Sequence, residues 1–222
     1  MSNPAIDVVQ LKTDALLFDL DGTLVDSSAA LVRSWTQWAI EQGVSREAFA
    51  GVATYGRTSA ELIADLLPAG RVAAGLQRIE EIEQASGASV VALPGARELT
   101  GLLPQGRWAV VTSCTRALAE ARLASAGLRA PLLVAADDVR RGKPDPEAFL
   151  LAAERLGAEP RRCVVFEDAP SGLTAAQAAR MRTVALVTTY RRDELQADAV
   201  ITGLHQVSVS DDGAQLIVEV AV

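Results

Sequence analysis

An α/β fold with a parallel sheet, interrupted early by a helical insert, is predicted by three features of the chain. From residue 93 onward, short apolar runs alternate with amphipathic stretches, which is the pattern of a parallel sheet with helices on its faces. One apolar run, Ala15-Leu16-Leu17-Phe18, stands apart near the start. Between the two, from about Val25 to Val91, apolar residues recur at helical spacing and no strand is expected. With 222 residues, half of them apolar, the chain fits one large domain or a domain carrying a smaller inserted one. The expected division is residues 1–24 and 93–222 for the sheet domain and 25–92 for the insert.

Taken in order, Ala15–Phe18 is a buried strand, broken into a turn by Gly22 and Thr23. Ser27 and Ser28 can cap a helix that runs to Gly43, with Leu31, Trp35 and Trp38 on one face. Both tryptophans are expected in a core. Val72, Leu76, Ile79 and Ile82 repeat the spacing before Gly87. At Leu93-Pro94-Gly95 the pattern changes. Strands are then expected at 108–111, 132–134, 163–166 and 183–187, and helices at 117–126, 146–156 and 171–181. The tail, 207–209 and 216–220 around Asp211-Asp212-Gly213, is a hairpin with an Asp-Gly turn. The first strand precedes the insert and the others follow it, so the sheet domain is split in sequence. The insert leaves just after Asp19 and Asp21, at the carboxyl end of a strand, the edge where doubly wound sheets bind ligands.

A net charge of −7 and a pI of about 4.8 argue against a nucleic-acid binder, whose footprint is basic. They do not exclude anionic substrates, because a local cation inverts the field. Cys114 and Cys163 are far apart and show no disulfide framework or zinc spacing. The first ten residues lack the features of a signal peptide, and no apolar run approaches a membrane span. A reduced, cytoplasmic monomer without a membrane partner is expected. His205 is the only histidine, so a Ser-His-Asp triad or a His-rich metal site would depend wholly on it. It is read as a surface residue beside a late strand.

Chemistry-bearing residues cluster at predicted strand ends. In a strand, residues i and i+2 point to one side, so Asp19 and Asp21 can face one small volume. Two neighbouring carboxylates repel unless a cation or a shared proton compensates. Thr112-Ser113 follows the strand at 108–111, Gly142-Lys143-Pro144-Asp145-Pro146 precedes a helix, and Glu167-Asp168 follows the strand at 163–166. Several carboxylates with open positions suit a hard cation such as Mg²⁺, and a lysine beside them suits a phosphate group.

In order and spacing the set strongly resembles the four motifs of the haloacid dehalogenase superfamily, in its phosphatase branch: Asp19-Leu20-Asp21-Gly22-Thr23, Thr112, Lys143, and Glu167-Asp168. The resemblance spans essentially the whole chain, and the helical insert resembles that family's small cap. Trp108 to Ser113 and Val165 to Gly172 are similar to sugar and polyol-phosphate phosphatases. Cys114 departs from the Gly or Ser that relatives carry there and is read as a small filler.

The resemblance implies a Rossmann-like core, a small phosphorylated substrate and a two-step mechanism. Asp19 would attack phosphorus and form an aspartyl-phosphate. Asp21 would protonate the leaving alkoxide and then take a proton from water, a role worth roughly 10²–10⁴-fold. Mg²⁺ would be held by Asp19, Asp168 and the backbone carbonyl of Asp21, with Glu167 acting through metal-bound water. Lys143 would bind phosphate and hold the Asp19 carboxylate, while Thr112 and the Ser113 N–H would bind phosphate oxygens. Tyr55-Gly56-Arg57-Thr58 matches the cap loop that reaches the leaving group. Arg57, with Gly56 beside it, stands between substrate contact and a solvated helix start. Asp26 is expected to brace the loop after the first motif, and Asp137 and Asp138 to be turn and cap residues.

Sugar phosphomutases such as β-phosphoglucomutase share all four motifs, but by register their cap histidine falls at Leu31. Dehalogenases lack the second aspartate, present here as Asp21. A non-catalytic phospho-ligand binder on the same fold would have lost Asp19, Asp21 or Lys143, and none is lost.

Overall fold

A computed structural model describes residues 7–51, 59–86 and 90–222. In chain order the regular elements are β1 (Val8–Thr13), β2 (Ala15–Phe18), β3 (Val25–Asp26), α1 (Ser28–Gln42), α2 (Arg46–Ala50), α3 (Ser59–Leu66), α4 (Val72–Ser86), β4 (Val91–Ala92), α5 (Ala96–Leu102), β5 (Trp108–Val111), α6 (Arg116–Ser125) and β6 (Leu133–Val134). Then follow α7 (Glu147–Leu156), β7 (Cys163–Glu167), α8 (Pro170–Ala178), β8 (Arg182–Leu186), β9 (Ala199–Ile201), β10 (Val207–Asp211) and β11 (Leu216–Ala221).

Six strands form one sheet in the order β6-β5-β2-β7-β8-β9, and every pair is parallel. β2 lies near the middle, with β5 and β6 to one side and β7, β8 and β9 to the other. The order therefore reverses at β2, which opens a crevice at its carboxyl end. β2 is buried at all four positions because both faces of the sheet are covered. Leu16 and Phe18 pack on one side with Trp108, Val110 and Phe166, under α5, α6 and a three-stranded antiparallel sheet β1-β11-β10. Leu17 packs on the other with Val111, Val165 and Phe149, under α7 and α8. Phe18 stacks on Phe166 at 4.8 Å and meets Trp108 edge-on at 5.9 Å. These contacts tie together the strand ends that carry the site.

The helical insert lies between β3 and β4. Its core is a separate cluster of Trp38, Ile63, Leu67, Ile79 and Ile82, and the Trp38 indole donates to the Gly75 carbonyl at 2.8 Å. The half-buried Trp35 packs against this cluster.

Several elements correct the sequence expectation. Val25–Asp26 pairs antiparallel with Val91–Ala92 where no strand was expected. Two residues cannot show a period, and the pairing arises only because the chain leaves and re-enters the sheet domain side by side. β1 adds a third strand to the terminal hairpin; only Leu11 and Thr13 of its six residues are buried, too few to mark a strand. β9 and α5 were also not expected, being only three and seven residues long. Ser27 makes no side-chain cap at α1; the Asp26 carboxylate accepts from the Ser28 N–H at 3.0 Å and from its hydroxyl.

Candidate active site

Asp19, Asp21, Thr112, Ser113, Lys143, Glu167 and Asp168 all line one cavity of about 770 Å³ at the carboxyl edge of the sheet. That volume lies within the range of small-molecule sites. The backbone places them. Asp19 continues the ladder beyond β2, its N–H donating to the Phe166 carbonyl at 2.9 Å. Thr112 does the same beyond β5, donating to the Val134 carbonyl at 2.9 Å. Lys143 comes from the loop before α7. That loop is fastened to the helix by Glu147, whose carboxylate accepts from the Arg140 and Arg141 N–H groups.

Lys143 is the hub. Its Nζ donates to Asp19 Oδ1 at 2.6 Å, to Glu167 Oε1 at 2.7 Å and to the Val111 carbonyl at 3.0 Å, and it lies over the Phe149 ring at 5.0 Å. Burial works to lower the lysine's pKa, but the Asp19 and Glu167 carboxylates outweigh it and hold the group above its ordinary value. Lys143 is therefore a fixed cation. The other oxygen of Glu167 accepts from the Asp168 and Ala169 N–H groups at 2.9 and 2.8 Å, so both Glu167 oxygens are engaged. Gly172, in the first turn of α8, lies against Glu167 so closely that a Cβ there would overlap the carboxylate. Gly22 (φ 84°) lets Asp168 approach in the same way, and its carbonyl accepts from the Thr188 hydroxyl.

Asp19 and Asp21 line the same cavity but do not share a cation. Asp21 Oδ2 accepts from Arg122 Nη1 at 2.6 Å and from Cys114 Sγ at 3.1 Å, while Asp19 belongs to Lys143. The expected repulsion is relieved by giving each carboxylate its own partner.

Oxygens of Asp19, Glu167 and Asp168 all lie within 4.8 Å of one another. Burial first, then the neighbouring carboxylates against the pull of Lys143, hold Asp19 well above its ordinary pKa. Burial, with the charge of Glu167, pushes Asp168 up to about 7, against a hydrogen bond from Thr189. Three buried carboxylates around one lysine leave negative charge uncompensated. The set is all oxygen, which fits a hard divalent cation. Since both Glu167 oxygens are engaged, Asp19 and Asp168 are the carboxylates better placed to ligate directly.

The family model of haloacid dehalogenase-like hydrolases matches residues 13–180. Hexitol phosphatase A of Escherichia coli is 39% identical over 210 residues, covering 90% of this chain and 95% of that protein. The chain belongs to the haloacid dehalogenase-like hydrolase family. Fructose-1-phosphate phosphatase YqaB of Escherichia coli is 36% identical, covering 76% of this chain and 94% of that one. Among solved structures, a hydrolase from Pseudomonas syringae superposes with a TM-score of 0.75 at 27% identity, covering 87% of this chain and 94% of that one.

For a member of this family, three points lie beyond the sequence expectation. Arg122 was not singled out, although a charge at helical spacing from the buried Leu118 and Ala119 was a signal for it. Cys114, read as a filler, is a hydrogen-bond partner of Asp21. Thr188 and Thr189, in the loop after β8, line the cavity and touch the first and fourth motifs. The Thr112 hydroxyl accepts from the Cys114 N–H at 3.1 Å, a contact within the second motif; Asp137, as expected of a cap residue, accepts from the Arg116 N–H at the start of α6. Asp138 closes its own turn on the Ala135 N–H at 2.8 Å. His205 is exposed. The cap-loop residues Gly56 and Arg57 lie outside the described residues. Among the described residues no helix is long and apolar enough to cross a membrane.

Proposed function

We propose that this protein hydrolyses small phosphomonoesters, sugar and polyol phosphates foremost, through an aspartyl-phosphate on Asp19 and with Mg²⁺ as cofactor. The observation that carries the reading is the division of labour between the two aspartates. Asp19 is fastened to a buried lysine beside an all-oxygen cluster, while Asp21 is held separately on the same cavity.

In the first step Asp19 forms a bond to phosphorus as the bond to the leaving oxygen breaks, and Asp21 gives that oxygen a proton. In the second step Asp21 takes a proton from water, which attacks phosphorus and frees Asp19 and inorganic phosphate. Lys143 fixes the Asp19 rotamer and offers its charge to the phosphate. Thr112 and the Ser113 N–H bind phosphate oxygens. Asp19, Asp168 and the Asp21 carbonyl would hold Mg²⁺, with Glu167 acting through water. When bound, the cation neutralises charge on phosphate and nucleophile. Residues 25–92 act as a cap domain on a core of 1–24 and 93–222. Leu31 and Val32 of α1 line the cavity from the cap side, and Gly56 and Arg57 are assigned to substrate binding on the family resemblance alone.

The sugar and polyol preference is supported by the similarity to hexitol phosphatase A and fructose-1-phosphate phosphatase. The mutase reading has no such support at the cap. An alkyl side chain, Leu31, lines the cavity at the position where mutases would place a histidine, and it cannot assist an acid.

Phosphate release from a panel of sugar phosphates, polyol phosphates and nucleotides, with Mg²⁺ and with EDTA, tests the reading, run beside β-glucose-1-phosphate isomerisation. Mg²⁺-dependent release concentrated on sugar or polyol phosphates is expected. Isomerisation without release would make the protein a mutase, and silence in both assays would point to an unusual substrate or a binding role.

A further inference from the structure

Arg122 is the only fully buried arginine among the described residues, 3% exposed. It sits on the inward stripe of α6 with Leu118, Ala119 and Leu123. An apolar side chain would pack there at no electrostatic cost, whereas a guanidinium out of water must be paired. Its partners belong to the site. Nη1 donates to Asp21 Oδ2 at 2.6 Å and lies 2.9 Å from Cys114 Sγ, and Cys114 Sγ is 3.1 Å from the same Asp21 oxygen.

The three groups form a closed triangle that grips one oxygen of the carboxylate. The other, Asp21 Oδ1, is buried and has no hydrogen-bond partner among the described residues. Cys114 Sγ donates to the same Asp21 oxygen that Arg122 holds, so the carboxylate has two donors on one side. Burial works to lower Arg122, but Asp21 and Glu83 of cap helix α4 hold it charged. A buried ion pair is weak evidence of stabilisation. This one terminates on the group that must transfer a proton in both steps.

We propose that Arg122, with Cys114 as second donor, is a positioning residue that anchors Asp21 Oδ2 and so fixes the orientation in which the carboxylate exchanges its proton with the leaving oxygen and with water. The inference rests on the phosphatase reading above. It also gives Cys114 a purpose, since Gly at that position would supply no second donor.

Leaving-group dependence tests it. An alkoxide needs the proton that Asp21 supplies, whereas p-nitrophenolate departs without one. The assay compares kcat/KM for sorbitol 6-phosphate and for p-nitrophenyl phosphate, because kcat/KM reports the phosphoryl-transfer step. In Arg122→Met the sorbitol 6-phosphate value should fall roughly 10- to 100-fold, part of the 10²–10⁴ that an acid supplies, while the aryl value changes little. Arg122→Lys should recover part of the loss. A purely structural role lowers both substrates by one common factor, the active fraction, and that result overturns the proposal. If Arg122→Met does not fold, Cys114→Ala and Cys114→Ser decide. A selective alkyl loss in the alanine variant, restored by the serine hydroxyl, supports the anchor, and equal behaviour on both substrates overturns it. A wild-type protein inactive on both substrates would count against the phosphatase reading instead.

Discussion

Two ion pairs of the same length mark the two halves of this molecule. In the sheet domain Lys143 meets Asp19 at 2.6 Å with side chains 4% and 11% exposed. In the cap Arg78 meets Glu41 at 2.6 Å with side chains 38% and 34% exposed. The distances are equal, and the surroundings decide what each pair is worth. Water screens the cap pair and offers either partner a substitute, so losing it costs little. The sheet pair has no such substitute, and breaking it strands a buried charge. The cap gets its order from an apolar cluster around Trp38, and the Arg78–Glu41 pair lies outside that cluster. The sheet edge does the reverse and buries charges beside an apolar floor of Phe18, Phe149 and Phe166. The nucleophile role proposed for Asp19 needs a fixed rotamer, and so the second arrangement; the helical cap needs only the first.

The sharpest break in the comparison is Asp19→Asn. It keeps the shape and removes the nucleophile, so turnover should fall by orders of magnitude while circular dichroism stays native. Near-normal turnover would remove Asp19 from its role. Lys143→Met should come next: in EDTA it leaves Asp19 and Glu167 buried without their cation and should lower unfolding stability by about 3–5 kcal/mol, read by urea titration. A loss no larger than that of a surface variant would mean the sheet edge is wetter than its burial indicates.

A smaller effect, dependent on pH, separates the metal's contribution from that of Lys143. Asp168 is raised from its ordinary 3.8 to about 7, by burial first and then by Glu167. A carboxyl raised on folding contributes stability that is full below its unfolded pKa and is lost as pH rises through its folded one. In EDTA this contribution should drain away between about pH 4 and pH 7. Mg²⁺ needs the ionised carboxylates, so the rise in Tm that it causes should be larger at pH 8 than at pH 5. A rise independent of pH would place the ion elsewhere. The smallest effect belongs to the cap: Arg78→Ala should leave both Tm and hydrolysis of p-nitrophenyl phosphate nearly unchanged.

Much of this architecture was legible because burial on both faces of a parallel sheet leaves a plain trace. Ala15–Phe18 and Trp108–Val111 are unbroken apolar runs, each followed at once by polar or turn residues. Asp19, Thr112, Glu167 and Asp168 could therefore be placed at strand ends, with Lys143 in a loop before a helix, and they do converge on one cavity. The two-residue pairing of β3 with β4 and the short β9 left no period to detect. Thr188 and Thr189 looked like ordinary loop residues until the fold set them against the first and fourth motifs.

By itself, then, the sequence determined the strand ends, their order and the residue types that stand there, because those depend on local burial and turn chemistry. Tertiary structure decided the pairing of charges. Nothing local assigns Asp21 to Arg122, which lies 101 positions away, or Asp19 to Lys143, 124 positions away. Nor does anything local require Gly172 to make room for Glu167. Those assignments depend on which groups the packed sheet excludes from water together. A buried charge must find its partner among whatever the fold brings within reach.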